Sequence, residues 1–167
     1  MVNSIIFPGQ GSQKVGMGKN IFDNFASCRE VFQEVNNSLS QDLSKLMFEG
    51  PIDKLTMTEN AQPAIMCVSL AIIRVLEEDF NIDLSKSIDF VAGHSLGEYT
   101  SLSATQSLNI SEVAKLLRIR GKSMQRAVPS GKSSMAAIMG GGIENIQDIT
   151  KRASAGEICE IANHNTY

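Results

Sequence analysis

Residues 89–107, DFVAGHSLGEYTSLSATQS, join a strand pattern to a helix pattern through a glycine-flanked turn. The apolar residues of 89–92 predict a short strand, and residues 95–107 predict the helix that follows it. The turn has the form G-x-S-x-G of a nucleophile elbow, in which a strained bend exposes a serine hydroxyl. Ser95 is therefore the candidate nucleophile. The Leu96 N–H, at the positive end of the helix, is a candidate donor to an oxyanion.

The two glycines of this turn have a steric reason to be glycine. A bend of this kind leaves little room for side chains at Gly93 and Gly97, so small residues are expected there. The same five-residue pattern also occurs in turns without chemistry, and a purely structural turn is the alternative interpretation. The strand before the turn and the helix after it favour the nucleophile elbow.

The rest of the chain alternates short apolar runs with helical patterns. Apolar residues spaced three and four apart predict amphipathic helices, and Pro63 predicts the start of the longest one. Asn109 and Glu112 are close to the capping-box pattern and predict another helix start. This alternation predicts an α/β fold with a largely parallel sheet. The other predicted strands are 2–7, 134–139 and 157–163, and the other predicted helices are 21–35, 63–80, 109–124 and 143–154.

The composition is that of an ordinary globular protein. The 167 residues are 43% hydrophobic and 20% charged, with a net charge of −3. The sequence offers no large basic patch for a phosphate backbone, and it has only seven Phe, two Tyr and no Trp for stacking on bases. Its longest apolar stretch, 63–73, is too short to cross a bilayer, and the N-terminus has no signal-peptide pattern. We therefore expect neither nucleic acid nor a membrane as a partner.

The cysteines Cys28, Cys67 and Cys159 are far apart and form no C-x-x-C pair. The sequence thus indicates neither a zinc site nor a disulfide framework, and it fits a reducing, cytoplasmic setting. We expect no metal and no cofactor.

A glycine-rich loop follows the first predicted strand. Residues 7–13, FPGQGSQ, could lend a backbone N–H to an oxyanion hole or could cradle a phosphate. The dinucleotide fingerprint fails, because Lys14 stands three residues after Gly11 where glycine is required. Taken alone, the loop is equally compatible with a plain turn.

Arg120 lies on the apolar stripe of the helix that begins near Asn109, four residues after Leu116. A guanidinium on a buried face needs a carboxylate or phosphate partner, because an unpaired buried charge is costly. Two interpretations stay open: an internal ion pair with Asp or Glu, and an anion-binding residue in a cleft.

The histidines limit the mechanism, because a serine nucleophile needs a base within hydrogen-bond reach. His94 directly precedes Ser95, and adjacent residues at such a turn point in different directions, so His94 is a poor candidate for the base. His164 follows the last predicted strand and is interpreted as a structural histidine. The sequence therefore predicts a nucleophile without its base.

Five segments are distinctive: FPGQGSQ at 7–13, TENAQPA at 58–64, GHSLGEY at 93–99, RGKSMQ at 120–125 and MAAIMG at 135–140. Together, in this order and without large gaps, they resemble the malonyl-CoA:acyl-carrier-protein transacylases of bacterial fatty acid synthesis. Related acyltransferase domains of polyketide and fatty acid synthases share most of this pattern.

The resemblance implies a ping-pong transfer. Ser95 would attack the thioester of malonyl-CoA, and the phosphopantetheine thiol of acyl carrier protein would then take the malonyl group. The backbone N–H groups of Gln10 and Leu96 would hold the oxyanion. Arg120 would pair bidentately with the free malonyl carboxylate, and Gln10 and His94 would also help to form the substrate site.

The implied fold is a large α/β-hydrolase-like subdomain with a small ferredoxin-like subdomain inserted, both incomplete in this chain. Residues 1–124 would be the front part of the large subdomain, and residues 125–167 the first βαβ portion of the small one. Family members are nearly twice as long, and their catalytic histidine lies beyond the position of Tyr167. Gln106 departs from the family, which commonly has glycine after the serine helix.

Three hypotheses about function remain. In the first, the chain is an acyltransferase whose base comes from a separate chain that supplies the missing half. In the second, it is a truncated, non-catalytic fragment or a piece that binds the carrier protein. In the third, it is a serine esterase or thioesterase, because the elbow alone permits water as the acceptor.

Overall fold

The computed structural model describes residues 2–127 and 134–165. The chain divides into two compact units, Met1–Lys132 and Ser133–Tyr167. In its described part the first unit contains eight helices and a two-stranded sheet, and the second contains one helix. In chain order the elements are β1 Ser4–Phe7, α1 Lys19–Asn24, α2 Ala26–Leu39, α3 Leu43–Glu49, α4 Ile52–Thr56, α5 Thr58–Glu78, α6 Leu84–Ser87, β2 Phe90–Gly93, α7 Leu96–Ala104, α8 Ile110–Ala127 and α9 Ile143–Ser154.

The two strands of the first unit pair in parallel, with Ser4 opposite Phe90 and Phe7 opposite Gly93. Parallel strands need a long crossover, and here it is made by six helices, which confirms the predicted α/β character. Parallel pairing also places the carboxyl ends of both strands at one edge of the sheet. The loop after β1 and the turn after β2 therefore begin side by side, and this arrangement positions the candidate site.

The strand β1 is less buried than its apolar sequence predicts. Phe7 is 3% exposed, whereas its neighbour Ile6 is 76% exposed and Phe90 of β2 is 64% exposed. Successive side chains of a strand point to opposite faces of the sheet. In the described residues α7 packs against both strands, and the side chain of Ile6 is left open to solvent.

The long helix α5 forms the centre of the first unit, with α2, α7 and α8 packed against it. Its apolar character on nearly every side predicted this position. By length and composition α5 is also the one described helix that could cross a bilayer, but 67% of its most apolar window is buried in the fold. A mostly buried core helix passes the same test, so this is weak evidence for a membrane span.

The start of α5 differs from the prediction, because the helix begins at Thr58 and Pro63 lies inside it. A proline at this position removes only the backbone hydrogen bond to the Glu59 carbonyl. The first turn is also supported by close packing against α8. A Cβ added at Gly121 would lie only 2.5 Å from Glu59 Cα, so the two backbones nearly touch. Tertiary packing therefore extends the helix beyond the local signal at proline.

The single helix predicted over 21–35 is wrong, because the chain breaks into α1 and α2 at Phe25. Phe25 has extended dihedral angles, with φ −124° and ψ 129°. Just before it, the Asn24 side chain donates to the Asn20 carbonyl at 2.8 Å. Asn side chains that bond to the local backbone favour helix ends over helix interiors.

The start of α8 has the predicted cap. The Glu112 N–H donates to Asn109 Oδ1 at 2.8 Å, and the Asn109 N–H donates to Glu112 Oε2 at 3.3 Å.

The serine helix α7 ends at Ala104, three residues before the predicted end. Gln106 follows with φ +60°, a left-handed conformation that suits glycine better than glutamine.

In the second unit, the helix predicted over 143–154 is confirmed as α9. The strands predicted over 134–139 and 157–163 are wrong, because neither segment is paired with a strand in the described residues. A strand needs a hydrogen-bonded neighbour, which local sequence patterns do not guarantee. Residues 128–133 and 166–167 of the expected small subdomain, and Met1 of the large one, lie outside the described residues.

Candidate functional site

Ser95 lies on a strained bend between β2 and α7. Its φ of +56° and ψ of −110° are outside the regions that non-glycine residues normally adopt. Because Ser95 immediately precedes the first residue of α7, its partly buried hydroxyl lies at the positive end of that helix. This backbone geometry agrees with the elbow predicted from the sequence.

The glycines of the elbow are required by close packing of backbone on backbone. A Cβ added at Gly93 would lie 1.9 Å from the carbonyl carbon of Gly97. A Cβ added at Gly97 would lie 2.4 Å from the carbonyl oxygen of Phe7. No side-chain movement relieves such contacts, so the expectation of small residues at both positions is confirmed.

The glycine-rich loop after β1 lies directly against the elbow. The His94 N–H donates to the Phe7 carbonyl at 3.2 Å, and a Cβ added at Gly9 would lie 2.6 Å from His94 Nδ1. The His94 imidazole therefore packs against the loop, and Gly9 leaves room for it. In the described residues no hydrogen bond joins His94 to Ser95 Oγ, in agreement with the view that His94 is a poor base.

Among the backbone N–H groups at this junction that have no acceptor in the described residues are those of Gln10 and Leu96. The first belongs to the glycine-rich loop, and the second begins α7. The Gln10 side chain is exposed, and its Nε2 lies 3.4 Å from Thr58 Oγ1. These donors have the character that an oxyanion hole needs, because they are fixed by the backbone and not used elsewhere.

The guanidinium of Arg120 reaches the serine. Its Nη2 donates to Ser95 Oγ at 2.9 Å, and its Nη1 donates to Gln62 Oε1 at 2.7 Å. The ring centroid of Tyr99 lies 5.7 Å from the guanidinium carbon, within range of a cation–π contact. The structure thus brings the two residues that the sequence singled out, Ser95 and Arg120, into direct contact.

The ion pair that was one interpretation of Arg120 is not formed in the described part of the chain, where no carboxylate lies within 4.0 Å of it. Both of its hydrogen-bond acceptors there are neutral. A positive charge beside the candidate nucleophile is therefore left without a counterion. Such a charge is available to an anionic ligand.

Gln62 is the residue that sequence reasoning missed. Its side chain is fully buried, at 0% exposure, and its Nε2 lies 3.3 Å from Met124 Sδ. The signal was the amide in the segment TENAQPA, just before a long apolar stretch. A helix predicted to begin at Pro63 leaves Gln62 outside any element, so the pattern does not predict its burial.

The two cysteines of the first unit are poor candidates for a nucleophile. Cys28 and Cys67 are both buried, free thiols. Burial raises the pKa of the Cys28 thiol to about 11 and the pKa of Cys67 well above its usual value. A buried thiol that stays protonated is a poor nucleophile, which leaves Ser95 as the candidate. Among the described residues no cluster of acidic, histidine or cysteine side chains could hold a metal ion.

Comparison with known proteins shows the family of this chain. The family model described as "acyl transferase domain" matches residues 5–154. The malonyl CoA-acyl carrier protein transacylase of Bacillus subtilis (strain 168) is 39% identical over 163 residues, which is 97% of this chain and 50% of that protein. The transacylase of the same name from Haemophilus influenzae is 39% identical over 98% of this chain and 51% of its own length.

Solved structures agree with these relatives. The acyl-carrier-protein S-malonyltransferase of Bartonella henselae is 48% identical with a TM-score of 0.92, covering 99% of this chain and 52% of that one. A malonyl transacylase solved in complex with a type II polyketide acyl carrier protein is 35% identical with a TM-score of 0.86, covering 95% of this chain and 50% of that one.

The chain spans about half the length of the curated relatives it matches. The solved malonyltransferases have the two-subdomain α/β fold that the sequence predicted, and this chain covers about half of that fold. Because the family model spans most of the chain and relatives of about 40% identity align along nearly all of it, the chain belongs to the acyl transferase domain family.

Proposed function

We propose that this chain carries the nucleophile and the acyl-carboxylate site of a malonyl transferase, which moves malonyl from malonyl-CoA to the phosphopantetheine thiol of acyl carrier protein. The single observation that carries the proposal is the 2.9 Å hydrogen bond from Arg120 Nη2 to Ser95 Oγ. It joins a nucleophile to a cation that has no counterion among the described residues. An acyl group that ends in a carboxylate fits this pair better than a neutral one does.

In the first half-reaction Ser95 Oγ attacks the thioester carbonyl carbon of malonyl-CoA. The carbonyl becomes an oxyanion, and the backbone N–H groups of Gln10 and Leu96 are the proposed donors to it. The carbon–sulfur bond then breaks. Coenzyme A leaves as the thiol with the proton that Ser95 gave up, and malonyl remains on Ser95 as an ester.

In the second half-reaction the phosphopantetheine thiol of the carrier protein attacks the malonyl ester. The ester bond breaks, the serine oxygen takes up the proton that the thiol gives up, and malonyl leaves as a new thioester. Throughout, Arg120 holds the malonyl carboxylate through two parallel hydrogen bonds, and His94 helps to form the wall of the site. An acetyl group lacks this carboxylate and leaves the guanidinium without its partner.

Within residues 2–127, Arg120 is the one side chain that is hydrogen-bonded to the Ser95 hydroxyl. The base that takes the serine proton is therefore a group outside these contacts. A separate chain that supplies the other half of the domain is one source of this base. Without a base, oxyanion donors and binding contacts still accelerate such reactions by roughly a thousandfold over water. A cytoplasmic setting, in which the free thiols of this chain stay reduced, is part of the proposal.

The test is to incubate the chain with malonyl-CoA and to follow the acyl-enzyme by intact-protein mass spectrometry. We expect one malonyl group per chain, located on Ser95 by peptide mapping and absent from Ser95→Ala. Ser101, buried in the same helix, gives the matched control variant Ser101→Ala, which should still be labelled. A chain that stays folded but acquires no malonyl group would overturn intrinsic acyl transfer and favour the non-catalytic fragment.

The esterase alternative is separated by the fate of the acyl-enzyme. A transferase should hold the malonyl ester until a carrier-protein thiol is added, and then pass it on. An esterase should release free malonate with water as the acceptor at a similar rate whether or not the carrier protein is present.

A further inference from the structure

Gln62 is a fully buried amide in the most apolar helix of the fold. It is 0% exposed, and its oxygen accepts a 2.7 Å hydrogen bond from Arg120 Nη1. Because a guanidinium has donors and no acceptor, the amide must present its oxygen to Arg120 and its nitrogen to the Met124 sulfur. A thioether is a weak acceptor, so the bond to Arg120 is the main polar interaction that this amide makes.

The bond to Gln62 determines where the other half of the guanidinium points. The guanidinium group is a rigid plane, so fixing the direction of Nη1 also fixes the direction of Nη2. In this structure Nη2 is thereby directed at Ser95 Oγ, 2.9 Å away. The Tyr99 ring lies against one face of the guanidinium, with its centroid 5.7 Å from Arg120 Cζ. This contact is not a hydrogen bond and does not fix the direction of the nitrogen atoms. Besides Ser95, Gln62 is thus the one described side chain that accepts a hydrogen bond from this guanidinium.

The neutrality of Gln62 has a consequence of its own. An acidic residue at this position would hold Arg120 at least as firmly, but it would also cancel the positive charge. A neutral amide orients the guanidinium and leaves that charge for a ligand. This difference accounts for an amide, rather than a carboxylate, facing the partly buried Arg120.

A second arginine on α8 provides an internal comparison. Arg118 donates to Asn60 Oδ1 at 2.7 Å and to Gln41 Oε1 at 2.5 Å, again two neutral amides. Burial lowers the pKa of Arg118 from its usual value. Arg118 makes no hydrogen bond to Ser95. It is therefore an arginine held by neutral amides, like Arg120, but without a contact to the nucleophile.

We propose that Gln62 is a positioning residue, which fixes the orientation of the Arg120 guanidinium and so sets the preference for carboxylated over neutral acyl groups. This inference rests on the proposed function for its effect on selectivity. Its effect on the guanidinium itself is independent of any reaction.

The first experiment measures the guanidinium directly, by ¹⁵N NMR of the arginine side chains in the full chain. Arg120→Lys identifies the Arg120 signals. In Gln62→Met, which keeps the length of the side chain, we expect faster rotation of the Arg120 nitrogen groups. In Gln62→Glu we expect slower rotation, because the carboxylate binds Nη1 more strongly. Equal rotation in the original chain and both variants would overturn the proposal.

The second experiment compares the rates of Ser95 acylation by malonyl-CoA and acetyl-CoA. Both Gln62→Met and Gln62→Glu should lower the malonyl-to-acetyl ratio, by about tenfold or more, although they change the rotation in opposite directions. A purely structural role would lower both rates and leave their ratio unchanged. Gln41→Met is the matched control, because it removes the equivalent bond to Arg118, and its ratio should stay within about twofold of the original.

The outcomes separate this inference from the proposed function. If the original chain acquires no acyl group, the proposed function fails, and the NMR comparison still decides whether Gln62 orients Arg120. If the original chain is malonylated and Gln62→Met keeps its selectivity, the inference is wrong and the proposed function stands. If Gln62→Met does not fold, the nearly isosteric Gln62→Glu decides the question.

Discussion

The Arg120 guanidinium and the Ser95 hydroxyl are joined by a hydrogen bond of 2.9 Å, although the residues are 25 positions apart in the sequence. In this bond Ser95 Oγ is the acceptor, so one of its lone pairs is directed at the cation. A carboxylate is a stronger acceptor for a guanidinium than a hydroxyl is. We therefore expect a carboxylated acyl group to take over Arg120 as it binds, and so to free Ser95 Oγ for attack.

Replacing Arg120 tests this relationship. Arg120→Ala should lower the rate of Ser95 acylation by malonyl-CoA about tenfold to a hundredfold, because the malonyl carboxylate loses a charged partner. The acetyl-CoA rate should change far less, so the malonyl-to-acetyl ratio should fall. Arg120→Lys should recover part of the rate but not the full ratio, because lysine lacks the bidentate geometry.

The control for that series is Arg126→Ala, which removes an exposed arginine from the last turn of the same helix. It should leave both acylation rates unchanged. If Arg120→Ala keeps the selectivity of the original chain, Arg120 does not bind the acyl carboxylate.

Predictions from sequence succeeded where short-range sterics decide the structure. The elbow at Ser95 was predictable because a strand, two glycines and a helix stand next to one another, and the backbone contacts of Gly93 and Gly97 now explain the pattern. The cap of α8 was predictable for the same reason, because the side chains of Asn109 and Glu112 each accept a hydrogen bond from the backbone N–H of the other, within one turn.

Predictions failed where distant packing decides the structure. The role of Gln62 depends on a side chain 58 positions away, and no local pattern places Arg120 beside it. The early start of α5 depends on the approach of Gly121 in another helix. The expected strands of the second unit have the apolar residues typical of strands but no neighbouring strand to pair with in the described residues. A strand forms only where its backbone is hydrogen-bonded to such a neighbour.

The elbow glycines give a prediction about folding that does not involve catalysis. Gly97→Ala should destabilise the chain by at least about 2 kcal/mol, because the new methyl group would overlap the Phe7 backbone, which has no room to retreat. Thermal unfolding followed by circular dichroism measures the change. Gly142→Ala is the control: nothing lies within 4 Å of a Cβ added at Gly142, and its stability should be close to that of the original chain.

The capping carboxylate of α3 predicts a dependence of stability on pH. Asp42 accepts from the Lys45 N–H at 3.0 Å and from Ser44 Oγ at 2.7 Å. These bonds, the backbone one first, hold the pKa of Asp42 below its ordinary value of 3.8. Because the pKa is lower in the folded state, the stabilisation is present above the unfolded pKa and is lost as the pH falls through the folded one.

Asp42→Asn isolates this effect, because an amide keeps the cap acceptor without a titrating group. The difference in unfolding free energy between the original chain and the variant should therefore shrink or change sign as the pH is lowered from about 7 to about 3. A difference that stays constant over this range would contradict the assignment of the lowered pKa to the cap.

Gln106 gives a prediction about backbone strain. It adopts φ +60° just after the serine helix, where a non-glycine side chain is strained. Gln106→Gly should raise the free energy of unfolding by roughly 1 kcal/mol, because relief of the strain outweighs the added freedom of the unfolded chain. Gln106→Ala is the matched control, since it shortens the side chain but keeps the Cβ that causes the strain. Equal stability of the glycine and alanine variants would show that the backbone conformation of Gln106 costs nothing, and glycine would then have no steric advantage at this turn.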